Sequence, residues 1–301
     1  MKHLLSIESL DRQEIHEILE LADVMKSTRG RHELLPLKGQ CWALIFSKSS
    51  TRTRVSFEVG IRELGGDVMF LSASDIQLGR GEPIRDTARV MGRMLDGAVI
   101  RTFLQSDVED FARYSNIPTI NALTDDEHPC QILADLQTIR EKLGGVEGRS
   151  VCFIGDGACN VPRSWLWAAA KLDFELRIAA PAAFQPPSEL LSRLGARARV
   201  VVTEDVREAA RGADVLYTDV WVSMGKEEEA ATRMEVLKAY QINRPLLEVA
   251  STSAIVMHCL PAYRGKEITE EVLEAHADTI FEQAENRLHA QKAIMQLLGR
   301  P

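Results

Sequence analysis

The chain has 301 residues, 45% hydrophobic and 27% charged, a composition that suits a globular protein of two ordinary domains. Its 36 basic against 44 acidic residues leave a formal net charge of −8, so it has no general attraction for nucleic acid or an anionic membrane surface. No apolar run reaches the ~18 residues of a membrane span, the N-terminus lacks a signal-peptide core, and five widely spaced cysteines point to thiols in a reducing, cytoplasmic compartment.

In chain order, a first helix is expected to start near Asp11, with Glu14 completing a capping box and Ile15, Ile18, Leu19, Ala22 and Met25 on one face. Cys41 to Phe46 is a short continuous apolar run, the pattern of a parallel strand buried on both faces. A helix follows from about Thr51 to Leu64 and stops at Gly65-Gly66. Strands are expected at Val68–Leu71, Ala98–Ile100 and Thr119–Ile120, with a helix over Ile84 to Met94 between the first two. A longer helix, Pro129 to Leu143, precedes a second series of strands at Val151–Ile154, Leu176–Ala179, Val200–Val202, Val215–Thr218 and Ala254–His258. A last helix covers Asn286 to Leu298. Such alternation predicts an α/β fold of two domains, each a parallel sheet flanked by helices, joined by interdomain helices. The expected boundaries are 1–135, with 286–301 packing back on it, and 136–285.

The densest chemistry lies where the first strand ends. Between Ser47 and Arg54 stand five hydroxyls and two arginines, just where a helix begins. Helix N-termini present unpaired N–H groups and the positive end of the dipole, which makes them anion sites. Ser50, Thr51 and Thr53 add hydroxyl donors, and Arg52 a planar clamp. Phosphate accounts for this set better than a capped helix with a solvated basic face. Arg54, two residues past Arg52, falls on another helix face.

Ser50-Thr51-Arg52-Thr53-Arg54 after a strand resembles the carbamoyl-phosphate motif of the aspartate and ornithine carbamoyltransferase family. His128-Pro129-Cys130-Gln131 matches in order, and His258-Cys259-Leu260-Pro261 and Asp219 to Gly225 resemble the family's ornithine branch. The similarity runs from the first helix to Glu285–His289. It implies transfer of a carbamoyl group from carbamoyl phosphate to the δ-amino group of L-ornithine, through a tetrahedral intermediate, giving L-citrulline and phosphate. No cofactor and no metal are implied, and no Cys/His cluster has zinc-site spacing. Catalysis is then chiefly orientation and stabilisation of charge.

Within that resemblance, Ser50, Thr51, Arg52, Thr53, Gln77, Arg101, His128, Gln131, Cys259, Leu260 and Arg287 are the expected carbamoyl-phosphate contacts. Arg101, His128, Cys259 and Arg52 are the expected catalytic set. Arg101, His128 and Thr53 would donate to the carbonyl oxygen as it becomes an oxyanion, and Gln131 would read the carbamoyl amide. Asn160, Asp219, Ser223 and Met224 are expected at the ornithine, with Asp219 pairing its α-ammonium. Gln77 is implied to reach a neighbouring subunit, so a homotrimer or a multiple of trimers is expected. Cys159, where an asparagine is usual, and Pro162-Arg163 depart from the pattern.

Putrescine, an N-acylated ornithine and aspartate are the alternative acceptors within the family. Aspartate would set an extra carboxylate against Asp219, and putrescine lacks the groups that Asn160 and Asp219 would hold. A dinucleotide site at Gly155-Asp156-Gly157 is disfavoured. Its third glycine is Asn160, and the next strand ends in Ala180-Pro181 rather than an acidic residue. An inactive carbamoyl-phosphate-binding relative is disfavoured by the complete polar sets at Arg52, His128 and Arg287.

Overall fold

A computed structural model describes residues 1–31, 34–72, 82–222 and 227–299. The chain divides into two compact units, Met1–Gln137 with Glu285–Pro301, and Thr138–Ala284.

In the first unit, α1 (Arg12–Ser27) begins at the Asp11–Glu14 capping box, with both reciprocal hydrogen bonds formed. Then come β1 (Cys41–Phe46), α2 (Thr51–Glu63), β2 (Asp67–Ser72), α3 (Ile84–Met91), β3 (Gly97–Arg101), α4 (Gln105–Ser115), β4 (Thr119–Leu123) and α5 (Pro129–Leu143). The strands form a four-stranded sheet in the order β2-β1-β3-β4, with every pairing parallel. Leu4 lies along the outer edge of β4, its N–H donating to Thr119 O (2.9 Å) and its carbonyl accepting from Asn121 N–H (2.7 Å), which covers an edge that would otherwise be open. Helix α3 stops three residues short of the expected Met94. Gly92 closes it, where a Cβ would fall 1.9 Å from the Ser115 carbonyl at the end of α4, so only glycine permits that approach.

The second unit holds β5 (Ser150–Ile154), α6 (Asn160–Lys171), β6 (Glu175–Ala179), α7 (Ser188–Arg193), β7 (Arg199–Thr203), α8 (Val206–Ala210), β8 (Val215–Thr218), α9 (Ala230–Leu237), α10 (Arg244–Leu247), β9 (Ile255–His258), α11 (Glu270–Ala275) and the start of α12 (Ala277–Leu298). Its sheet, also parallel throughout, runs β7-β6-β5-β8-β9. Strands β5, β8 and β9 are buried along their length.

Both sheets share one topological property. In the first, the chain leaves β1 toward β2 on one side and returns to β3 on the other; in the second, β5 has β6 on one side and β8 on the other. Ligands of open α/β sheets lie outside the carboxyl ends of the strands at such switch points. Helix α12 starts at Ala277, nine residues before the expected Asn286, because no glycine or proline interrupts 277–286. Its later turns belong to the first unit and pack on α2: Met295, Lys292 and Leu288 stand 3.1–3.4 Å from where a Gly60 Cβ would be.

Candidate active site

In the first unit the switch point falls between β1 and β3, whose last residues pair as Phe46 and Arg101. Ser50 caps α2 from an extended conformation, its Oγ accepting from Thr53 N–H at 3.4 Å. Thr51 and Arg52 occupy the exposed first turn, and Thr53 is buried. Arg54 is turned elsewhere. It donates to Glu58 (2.6 Å) and covers the Phe70 ring at 3.8 Å, a packing role. Arg101 closes β3 and is buried.

His128 immediately precedes α5, with Pro129 at the first helical position, where no N–H is needed. Burial, reinforced by repulsion from Arg287 and Arg101, holds the His128 pKa well below its ordinary value, so the ring is neutral and can donate without carrying charge. Gln131 is fixed at both ends of its amide: Nε2 donates to Asp135 Oδ1 (2.8 Å), and Oε1 accepts from Arg287 Nη1 (2.8 Å). Arg287 Nη2 donates to Thr53 Oγ1 at 3.0 Å, and Ser50 Oγ donates to the same oxygen at 3.0 Å. One connected set therefore joins α2, α5 and α12. A hydroxyl oxygen has two lone pairs and one proton. Both lone pairs of Thr53 Oγ1 are occupied, which leaves its proton to donate outward. Lys48, buried, pairs with Asp125 and lies 4.2 Å from the centre of the Phe103 ring, tying the end of β1 to the segment before His128.

In the second unit, β5 and β8 end in register at Ile154 and Thr218, and β8 and β9 at Thr218 and His258. Asn160 opens α6 in the turn after β5. Asp219 follows β8, and its Oδ1 accepts from Cys259 Sγ (2.9 Å) and from Val220 N–H (2.7 Å). Burial pushes the Asp219 pKa up, with the Cys259 hydrogen bond and the Val220 N–H acting against it.

Asp219, His258 and Cys259 bring a carboxylate oxygen, an imidazole nitrogen and a sulfur within 4.8 Å of one another. A transition metal accepts such donors. The imidazole, however, is already committed: Nδ1 accepts from Leu260 N–H at 2.8 Å and Nε2 faces Glu267 Oε1 at 3.2 Å. Cys259 thus bonds Asp219, while His258 beside them is engaged by Leu260 and Glu267 and has no ring nitrogen to spare for a metal. Two other cysteines, Cys130 and Cys152, are buried thiols pushed up to about 12 by desolvation, and so unreactive.

Residues 2–141 match the model of the aspartate/ornithine carbamoyltransferase carbamoyl-P binding domain, and residues 147–298 that of the family's Asp/Orn binding domain. The chain belongs to the aspartate/ornithine carbamoyltransferase family. It is 59% identical to an ornithine carbamoyltransferase of Akkermansia muciniphila, over 99% of this chain and 98% of that protein. It is 48% identical to the anabolic ornithine carbamoyltransferase of Pseudomonas aeruginosa, over 99% and 97%. Among solved structures, the anabolic ornithine carbamoyltransferase of Campylobacter jejuni superposes with a TM-score of 0.93 at 42% identity, covering 99% of both chains.

Of the residues expected from the motifs of this carbamoyltransferase family, the first unit joins Ser50, Thr53, Gln131 and Arg287 in one set and places Arg101 and His128 close enough for Arg101 and Arg287 to depress the imidazole. The second joins Asp219 with Cys259 and puts Leu260 under the hold of His258. Asn160 opens α6, after the neighbouring strand β5. Gln77, Ser223 and Met224 lie outside the described residues. Arg287 sits within α12 rather than at its start. Asp135 and Glu267 were not anticipated. Asp135 lies one helical turn after Gln131, a spacing visible in the sequence, whereas nothing local marks Glu267 as a partner of His258.

Proposed function

We propose that this chain transfers the carbamoyl group of carbamoyl phosphate to the δ-amino group of L-ornithine, giving L-citrulline and phosphate. The observation that carries the reading is the full-length likeness, at 48–59% identity, to proteins named ornithine carbamoyltransferase, spanning both family domains. The neutral amine attacks the carbamoyl carbon and a tetrahedral oxyanion forms. The nitrogen sheds a proton as the carbon–oxygen bond to phosphate breaks.

We assign the first domain, 1–135 with 286–301, to carbamoyl phosphate. Ser50, Thr51, Arg52, Thr53 and Arg101 take the phosphate there. Arg101, neutral His128 and the outward-donating Thr53 hydroxyl stabilise the oxyanion, and Arg287 and Gln131 complete the contacts. Supporting this are the helix N-terminus at Ser50 and the buried set that orients Thr53. Gln131 Oε1, with one lone pair on Arg287, keeps a second for the carbamoyl NH2. The second domain, 136–285, is assigned to ornithine through Asn160, Asp219, Ser223 and Met224, with Cys259 and Leu260 at the reacting groups. The working unit is proposed to be a homotrimer to which Gln77 contributes across subunits, a state that sedimentation can test. The proposed compartment is the cytoplasm; no described helix is long and apolar enough to cross a membrane.

The test is citrulline formation by the purified protein, beside carbamoylation of putrescine, N-acetylornithine and aspartate. Ornithine should be preferred by a wide margin, and Arg52→Ala should cut kcat/KM for carbamoyl phosphate by about a hundredfold or more, as expected for loss of one charged donor. Equal or better turnover of another acceptor overturns the assignment.

A further inference from the structure

Outside the residues assigned above, the second unit holds the His258–Glu267 pair, and neither side chain has any exposed surface. His258 ends β9, and its backbone N–H donates to Gln283 Oε1 (2.9 Å), whose own Nε2 donates to the Tyr217 hydroxyl (3.3 Å). The imidazole faces forward along the chain. Nδ1 accepts from Leu260 N–H at 2.8 Å, and Nε2 lies 3.2 Å from Glu267 Oε1. The same carboxylate oxygen accepts from Tyr263 N–H at 2.5 Å. One buried carboxylate and one ring thus tie down both ends of the turn that carries Cys259 and Leu260.

The geometry also determines the protonation state of the ring. An imidazole nitrogen that accepts from a backbone N–H has no proton, so the neutral ring carries its proton on Nε2, where Glu267 receives it. A doubly protonated ring, or the other tautomer, would set Nδ1–H against Leu260 N–H, donor against donor. Leu260 has φ +57, a left-handed conformation that a residue with a Cβ adopts only when its surroundings hold it there. The Nδ1 hydrogen bond and the packing of its side chain on the domain core supply that hold.

We propose that His258, locked as its Nε2–H tautomer by Glu267, is a positioning residue that holds Leu260 left-handed and so sets Cys259 against Asp219 at the ornithine end of the reaction. Asp219 and Cys259 remain the groups that meet substrate; His258 acts through the backbone between them.

The assignment rests on the carbamoyltransferase reading above, and its test separates the two. In His258→Asn the side-chain oxygen stands where Nδ1 stands and can accept the N–H two residues on, as asparagine does in turns. His258→Leu cannot. The leucine variant should lose about a hundredfold in kcat with ornithine, the cost of a misplaced reacting group, while product inhibition by inorganic phosphate keeps its wild-type constant. The asparagine variant should recover most of that loss, although it lacks any ring to pack. In the wild-type enzyme, 15N–1H correlation spectra should show the His258 ring, identified by its disappearance in His258→Asn, with a protonated Nε2 and a bare Nδ1. Glu267→Ala should release that tautomer and lower kcat with it. Wild-type enzyme that makes no citrulline refutes the carbamoyltransferase reading. Active wild-type enzyme with an Nδ1–H or doubly protonated His258, or with leucine and asparagine variants equally impaired, refutes the positioning role alone.

Discussion

Thr53→Val removes one oxygen and little else, since valine has nearly the same shape. Thr53 Oγ1 receives hydrogen bonds from Arg287 Nη2 and Ser50 Oγ, both at 3.0 Å, so its proton is available to an oxygen on the substrate. If that oxygen is the developing oxyanion, losing the donor costs about 3–4 kcal/mol in the transition state and lowers kcat by about 10²–10³. The same substitution leaves two donors in a buried place without their acceptor, which should lower folding stability by about 1–3 kcal/mol. Thr53→Ser, which keeps the hydroxyl and loses a methyl group worth about 0.8 kcal/mol, should restore most of kcat. Initial rates of citrulline formation with both substrates varied, beside denaturant unfolding of each variant, separate these effects. A transition-state donor makes kcat and kcat/KM fall together. If instead KM for carbamoyl phosphate rises while kcat holds, Thr53 is a ground-state phosphate ligand and its proton does not meet the oxyanion.

Asp219→Asn keeps acceptors for Cys259 Sγ and Val220 N–H but loses the charge that would meet the α-ammonium. KM for ornithine should rise about thirtyfold or more, from roughly 2 kcal/mol for a broken buried charge pair, with phosphate inhibition unaltered; an unaltered ornithine KM would remove Asp219 from the acceptor site. The depressed pKa of His128 has a consequence for stability, because the unfolded chain regains the ordinary value near 6.5 and takes up the proton first. Its contribution is therefore complete above about pH 6.5 and is lost as the pH falls toward the folded value. His128→Gln should flatten the decline of the melting temperature over that interval, and an unchanged slope would contradict the desolvation of the ring.

Legibility in the sequence followed the distance between partners. The run Cys41–Phe46 announced a strand buried on both faces, and the Asp11–Glu14 pair a helix start, because neighbouring residues alone decide both. The short helices α7, α8 and α10, of four to six residues, had no periodicity long enough to read. The last helix was expected only from Asn286, but tertiary burial of residues such as Ile280 and Gln283 carries α12 through from Ala277.

The candidate site divides in the same way. That Ser50 to Arg54 would meet an anion follows from residue types and a helix N-terminus, all within one turn. What each hydroxyl does there does not follow. Thr53 becomes a donor only because Arg287, 234 positions along the chain, occupies one of its lone pairs while Ser50 occupies the other. Gln131 presents one lone pair of its oxygen for the same reason, with Asp135 holding the opposite end of the amide. His258 accepts from Leu260 only because Glu267 draws the ring's single N–H proton to Nε2. Motif spacing thus brings the right chemical groups to a strand end, and the distant partner determines which way each proton faces. Since the proposed catalysis is hydrogen-bond donation to a new negative charge, its direction is settled by contacts that no local pattern contains.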